Sequence, residues 1–228
     1  FTNEELAIPS EDGSEIYRFD KNGRHLETVD AVNGKRLLSF GYDDRGHLDE
    51  VVDADDNRVR IEHNGDAPTA IVGAYGARTK LDTDADGWLT RVEDPEDGTH
   101  ELSYRDANGL LASFRRPGAG TSRFEYEDDG RLKSDVDPDG PTKTLTRSYD
   151  GDRQDVTMRT KGGLTSVFSL DRTGTNLLQR KVTGPDGAQV VQTTGECTTT
   201  TTQPDGTVAS SSERGDPRLG MAAPFHDA

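Results

Sequence analysis

Short turns that end in glycine recur along this chain at a nearly fixed interval, and that recurrence limits the folds open to it more than any other feature. Aligned on the turn glycine, the copies run Tyr17 to Leu26 around Gly23, Phe40 to Leu48 around Gly46, Val59 to Gly65, Leu81 to Leu89 around Gly87, Tyr104 to Leu111 around Gly109, Phe124 to Leu132 around Gly130, and Phe168 to Gly174. Successive glycines stand 23, 19, 22, 22, 21 and 44 residues apart. The last step is two periods, bridged by a shortened copy at Tyr149-Asp150-Gly151. A fixed self-similar period marks an architecture built by copying one supersecondary unit.

The unit reads as a hairpin. Tyr17 and Phe19, Phe40 and Tyr42, and Phe124 and Tyr126 stand two apart, so each pair shares a strand face. An Asp/Asn-rich segment ending in Gly then reverses the chain. Leu26, Leu48, Leu89 and Leu132 follow the glycine, and Val29, Val51, Val92, Phe114 and Val136 come a few places later. One face of the hairpin is thus expected to be apolar. The copy at Gly109 has Tyr104 five places ahead, which implies a bulge or a shifted register there. A second set of turns lies between the first: Asp94 to Gly98, Arg116 to Gly118, Asp137 to Gly140, Gly184 to Gly187 and Gln203 to Gly206. Each repeat therefore supplies two strands. The reading is all-β, about ten repeats of about 22 residues and some twenty strands, with no helix. No stretch reads as a linker, so residues 1–228 form a single array. Within it, 188–228 is more divergent and Thr-rich, with Thr198–Thr202 read as strand because Thr is β-branched.

Composition agrees with a thin structure. Only 30% of residues are hydrophobic against 31% charged, so each strand can bury one face at most. Net charge is −16, which disfavours nucleic acid and anionic membranes as partners. One cysteine, Cys197, allows no disulfide framework. No apolar run approaches the ~20 residues of a membrane-spanning helix. The first residues, from Phe1, carry neither an initiator Met nor a signal peptide, and the chain reads as a piece of something longer.

The recurring aromatic-x-Tyr-Asp-x-x-Gly-Arg-Leu pattern, seen at Tyr17 to Leu26, Phe40 to Leu48 and Phe124 to Leu132, resembles the YD repeat of bacterial Rhs proteins, of the C components of insecticidal toxin complexes and of teneurins. The resemblance covers essentially the whole chain. It implies a continuous antiparallel sheet that spirals into part of a hollow shell or barrel, in a bacterial protein that is secreted or carried on the cell surface. It implies packaging rather than catalysis: the shell encloses or presents a C-terminal effector, such as a toxin domain, and its partners are the remaining repeats and that effector. Open sheet edges would also favour self-association. A second reading is an extracellular adhesion or carbohydrate-binding module, calcium-dependent in one version.

Candidate chemistry is sparse. Asp82, Asp84, Asp86 and Glu93, spaced around Gly87, match a calcium-loop pattern that would bring several carboxylate oxygens to one hard cation. The repeat register already explains Asp84, Gly87, Leu89 and Val92, however, and strand-turn-strand replaces the flanking helices. A solvated acidic turn is the preferred reading. The histidines His25, His47, His63, His100 and His226 have no metal-ligand spacing. Cys197 lies beside Glu196 and no local His would activate it. No nucleophile elbow supports a triad. Arg214-Gly215-Asp216 spells an integrin-type tripeptide by chance of its flanks. The aromatics Tyr17, Phe19, Phe40, Tyr42, Tyr104, Phe124, Tyr126, Tyr149 and Phe168 could stack on sugars, but their fixed repeat positions favour packing across strands.

Overall fold

The computed structural model describes residues 6–138, 140, 142–174 and 176–227; the side chains of Ala107, His226 and Asp227 lie outside the description. Asp139, in one of the second set of turns, also falls outside it. The described residues form 21 strands and one 3-10 turn, Asp106–Asn108, with no α-helix. Two compact units divide them: Phe1–Leu102 together with Gly215–Phe225, and one centred on Ser103–Arg214.

The first unit holds β1 (Leu6–Pro9), β2 (Glu15–Phe19), β3 (His25–Asp30), β4 (Arg36–Tyr42), β5 (Leu48–Asp53), β6 (Arg58–Asn64), β7 (Ala67–Val72), β8 (Arg78–Thr83), β9 (Leu89–Glu93) and most of β10 (Thr99–Arg105). Each pairs antiparallel with the next. The second unit continues the pattern through β11 (Leu110–Arg115), β12 (Thr121–Tyr126), β13 (Leu132–Val136), β14 (Lys143–Asp150) and β15 (Arg153–Thr160). It goes on through β16 (Thr165–Arg172), β17 (Leu178–Thr183), β18 (Gln189–Thr194), β19 (Thr198–Thr202) and β20 (Val208–Asp216). These too pair antiparallel in sequence order. The last strand, β21 (Gly220–Asp227), returns the chain to the first unit, where Ala223 is buried and a Cβ on Gly13 would touch it. Arg218 also donates to the Gly13 carbonyl at 3.4 Å.

The turns form as their sequences require. Asp20, Asp43, Asp53, Asp84 and Asp94 each turn Oδ1 inward to accept from backbone N–H groups two and four residues on, at 2.8–3.0 Å. The third residue after the aspartate takes positive φ, 81° at Gly23 and 91° at Gly46, and in the turns of Asp53 and Asp94 that position is held by Asp56, at 61°, and Asp97, at 63°. A three-residue loop closed by a left-handed glycine leads directly into a bulge. Bulges follow in β2/β3, β4/β5, β6/β7, β8/β9 and β12/β13. In the β12/β13 hairpin, Tyr126 pairs with Leu132 while Glu125 pairs with Ser134, leaving Lys133 as the extra residue.

In the β12/β13 hairpin the expectation of a single apolar face fails, although Phe40 and Val51 in β4/β5, and Leu81 and Val92 in β8/β9, do share one. Phe124 lies opposite Asp135, and Val136 opposite Arg123, so Phe124 and Val136 stand on different faces. Nor is the bulge peculiar to the copy at Gly109. It recurs in most copies, and the chain at Gly109 reverses through the 3-10 segment Asp106–Asn108, with Gly109 left-handed at φ 68°.

Candidate functional site

In the first unit the two faces of the sheet differ sharply. In the first unit the register aligns Phe40, Val51 and Val59, then Ile61 and Ile71, then Leu81 and Val92 on one face. The opposite face carries Glu50, Arg58, Arg60, Glu62, Arg78, Lys80, Arg91 and Glu93. In the second unit Val156, Phe168, Val182 and Val190 run across four strands in register. With Leu170 and Gln154 the first three line a groove of about 300 Å3. Phe168 remains 42% exposed and Ile71 39%. No large side chain is fully buried among the described residues.

The buried residues are mostly small, and several lie beneath long charged ones. Ala70 is 0% exposed, paired with Glu62 on one side and Lys80 on the other. Val52, at 7%, is paired with Arg58. The aliphatic stems of Arg and Lys cover such positions while their heads stay in water. Arg78 grips Glu62 through two bonds of 2.8 and 2.6 Å, and Arg58 donates to Glu50 at 2.7 Å. Arg78 holds the Glu62 carboxyl below its ordinary pKa by hydrogen bonding.

At the row of turns that includes Gly23 and Gly46, side chains link each copy to the next. His25 stacks between Phe19, at 4.9 Å, and Phe40, at 4.1 Å. The Tyr42 hydroxyl donates to the carbonyl of His25, and the Tyr126 hydroxyl to that of Leu111, each at 2.9 Å. Arg24 lies over the Tyr42 ring, Arg45 reaches Asp66 at 3.2 Å, and Arg147 pairs with Glu127 at 3.1 Å. His47 stacks on His63 and bonds Asp43 at 3.1 Å. The turn glycines Gly87, Gly109, Gly130 and Gly174 share the positive φ of Gly23 and Gly46. Tyr149 is 60% exposed.

Two of the carboxylates of the calcium-like pattern, Asp84 and Glu93, are engaged separately. Asp84 accepts from the N–H groups of Asp86 and Trp88, and Glu93 pairs with Lys80 and, at 2.6 Å, with Arg91. Hydrogen bonding to Lys80 lowers the Glu93 pKa. No group of three or more His, Cys, Asp or Glu among the described residues is arranged to hold a metal ion. Cys197 is exposed. Among those residues no helix is long and apolar enough to cross a membrane.

A chain of antiparallel hairpins at a 22-residue period, with side chains linking copy to copy, defines an all-β repeat protein. It belongs to the teneurin YD-shell family: a family model described as "Teneurin YD-shell" matches residues 3–224. It is 26% identical to human Teneurin-1 over 195 residues, which is 81% of this chain and 7% of that protein. It is 29% identical to mouse Teneurin-3 over 147 residues, 64% of this chain and 5% of that one. It thus spans a small fraction of its curated relatives. Among solved structures it is similar to that titled "Crystal Structure of TcdB2-TccC3-TEV", with a TM-score of 0.32 and 11% identity over 96% of this chain and 18% of that one.

Proposed function

We propose that residues 1–228 serve as one stretch of the β-wall of a longer YD-repeat protein, with the Thr-rich 188–228 its divergent end. The role is structural and non-catalytic, and the wall encloses or presents a further part of the same polypeptide, a C-terminal effector. The observation that carries this is the division of faces. A solvated enzyme domain would bury its apolar residues against a second layer. Here Phe40, Val51 and Ile71 of the first unit line a face with no second layer described over it, while Arg58, Arg60, Glu62 and Arg78 crowd the other; in the second unit, taken by itself, Phe168 and Val182 lie in a row that is likewise left uncovered among the described residues. A wall with apolar contents on one side and water on the other suits that division. The family description supports the wall. Location outside the cell, and origin in a bacterial Rhs-type protein, rest on the sequence resemblance, since the curated relatives named above are animal proteins.

Limited proteolysis of the intact protein tests the reading. The polypeptide beyond Ala228 should resist protease while the wall is folded and become cleavable in the same urea range that melts the hairpins. Cleavage of that segment at native conditions, with the wall intact, would defeat it.

A further inference from the structure

Asparagine followed by glycine occurs at four places, Asn22-Gly23, Asn33-Gly34, Asn64-Gly65 and Asn108-Gly109, and the fold treats one of them differently. Such a pair is reactive because glycine has no side chain to hinder its own nitrogen, which can attack the asparagine Cγ and close a succinimide ring. The N–H proton leaves as the ring closes, so a hydrogen bond donated by that N–H must break first. At Gly23 the N–H is engaged by the Asp20 carbonyl at 3.0 Å, and at Gly34 by the Asp30 carbonyl at 2.9 Å. Asn33 is held twice, because its Oδ1 also accepts from the Lys35 N–H at 2.8 Å. Asn108 closes the 3-10 segment Asp106–Asn108, whose i→i+3 bonding engages the glycine amide that follows it.

The turn at Asn64 is built otherwise. β6 and β7 pair as far as Asn64 opposite Ala67, so Gly65 and Asp66 alone form the loop, and Gly65 takes φ 67° at its first position. A two-residue loop of this kind is closed by the residues that flank it, which leaves its first N–H outside the ladder. Neither the Asn64 side-chain amide nor the Gly65 N–H has a hydrogen-bond partner among the described residues. Exposure does not separate the pairs, since Asn22, Asn33 and Asn64 are all exposed. They differ in whether the attacking nitrogen is already engaged. Asn64 also ends its strand, so the motion that brings Gly65 N onto Cγ opens only the last rung of the β6/β7 ladder.

We propose that Asn64-Gly65 is a spontaneous modification site, converting to aspartate and isoaspartate in the folded chain well ahead of the other three pairs. Hydroxide from solvent takes the Gly65 N–H proton, the nitrogen bonds to Asn64 Cγ, and the Cγ–Nδ2 bond breaks to release ammonia. One water then opens the succinimide, at Cγ to give aspartate or at the main-chain carbonyl to give isoaspartate. Either product places a new negative charge beside Asp66. Isoaspartate also routes the main chain through Cβ and Cγ, one carbon longer, in a hairpin whose register already shifts at Glu62/His63. Ageing the folded chain at mildly alkaline pH, then mapping peptides by mass spectrometry with fragmentation that separates the two acids, tests this. Asn64 should convert roughly tenfold faster than Asn22, Asn33 and Asn108, the factor expected where a hydrogen bond must break before attack. In urea that unfolds the chain the four rates should converge, because the bonds that protect three of the pairs are gone. Any of those three converting as fast as Asn64 in the folded chain would overturn the proposal. So would an Asn64 that persists in the folded chain and converts only in urea, or a ranking that urea leaves unchanged.

Discussion

The turn aspartates and glycines determine whether each hairpin closes, and each makes a measurable demand. Gly46 sits at φ 91°, where an L side chain is strained, and a Cβ there would collide with the Arg24 guanidinium. Gly46→Ala should lower stability by about 1–2 kcal/mol, measured by urea unfolding. The Tyr126 hydroxyl bond to Leu111 makes a smaller contribution, and Tyr126→Phe should cost about 0.5–1.5 kcal/mol in the same assay. The turn carboxylates also set an acid limit. Backbone N–H groups hold Asp20 and Asp43 below the ordinary carboxylate range, and the hydroxyls of Ser10 and Ser14 bring Asp12 down to about 2. A depressed folded pKa means the contribution is complete above the unfolded value, near 4, and is lost as pH falls through the folded one. Thermal melting should therefore be flat from neutrality to about pH 4.5 and fall steeply between about pH 4 and 2. Asp43→Asn, which keeps an acceptor but removes the charge, should make that fall shallower.

At the scale of strands, the β8/β9 hairpin shows how local geometry allocates acidic groups. Glu93 is held by Lys80 and Arg91 and Asp84 by its own turn, so calcium titrated into the chain in a calorimeter should give no heat. Micromolar binding abolished by Asp82→Ala would contradict that. The hairpins themselves were legible from sequence, because an Asp-x-x-Gly turn and a period-two strand each have a local cause. Residues Tyr17, Phe19, Phe40 and Tyr42 gave strand positions directly. The bulge after each turn was not legible, since a one-residue offset such as Lys133 opposite the Glu125/Tyr126 step depends on ladder hydrogen bonds and leaves no residue-type signal. The stack of Phe19, His25 and Phe40 was missed for a related reason: it joins three strands, and His25 looked like a turn-flanking polar residue.

For the whole molecule, low hydrophobicity is the natural consequence of a wall one sheet thick. Ala70 and Val52 are covered by the stems of charged residues, and the large apolar side chains are left on the other face in need of a neighbour. Stability in such an array comes from each hairpin leaning on the next, through links such as Tyr42 to His25 and Arg147 to Glu127, so it accumulates along the chain rather than around a centre. The wall reading makes the same demand of each unit: the apolar rows, Ile71 in the first and Phe168 in the second, must meet the enclosed polypeptide, and in the first unit the face bearing Arg60 and Arg78 must meet water. Cryo-electron microscopy of the intact protein decides this directly. The account predicts that residues 6–227 continue into flanking hairpins, with density for further polypeptide against Ile71, Phe168 and Val182; density against Arg60 and Arg78, with the apolar face turned to solvent, would contradict it.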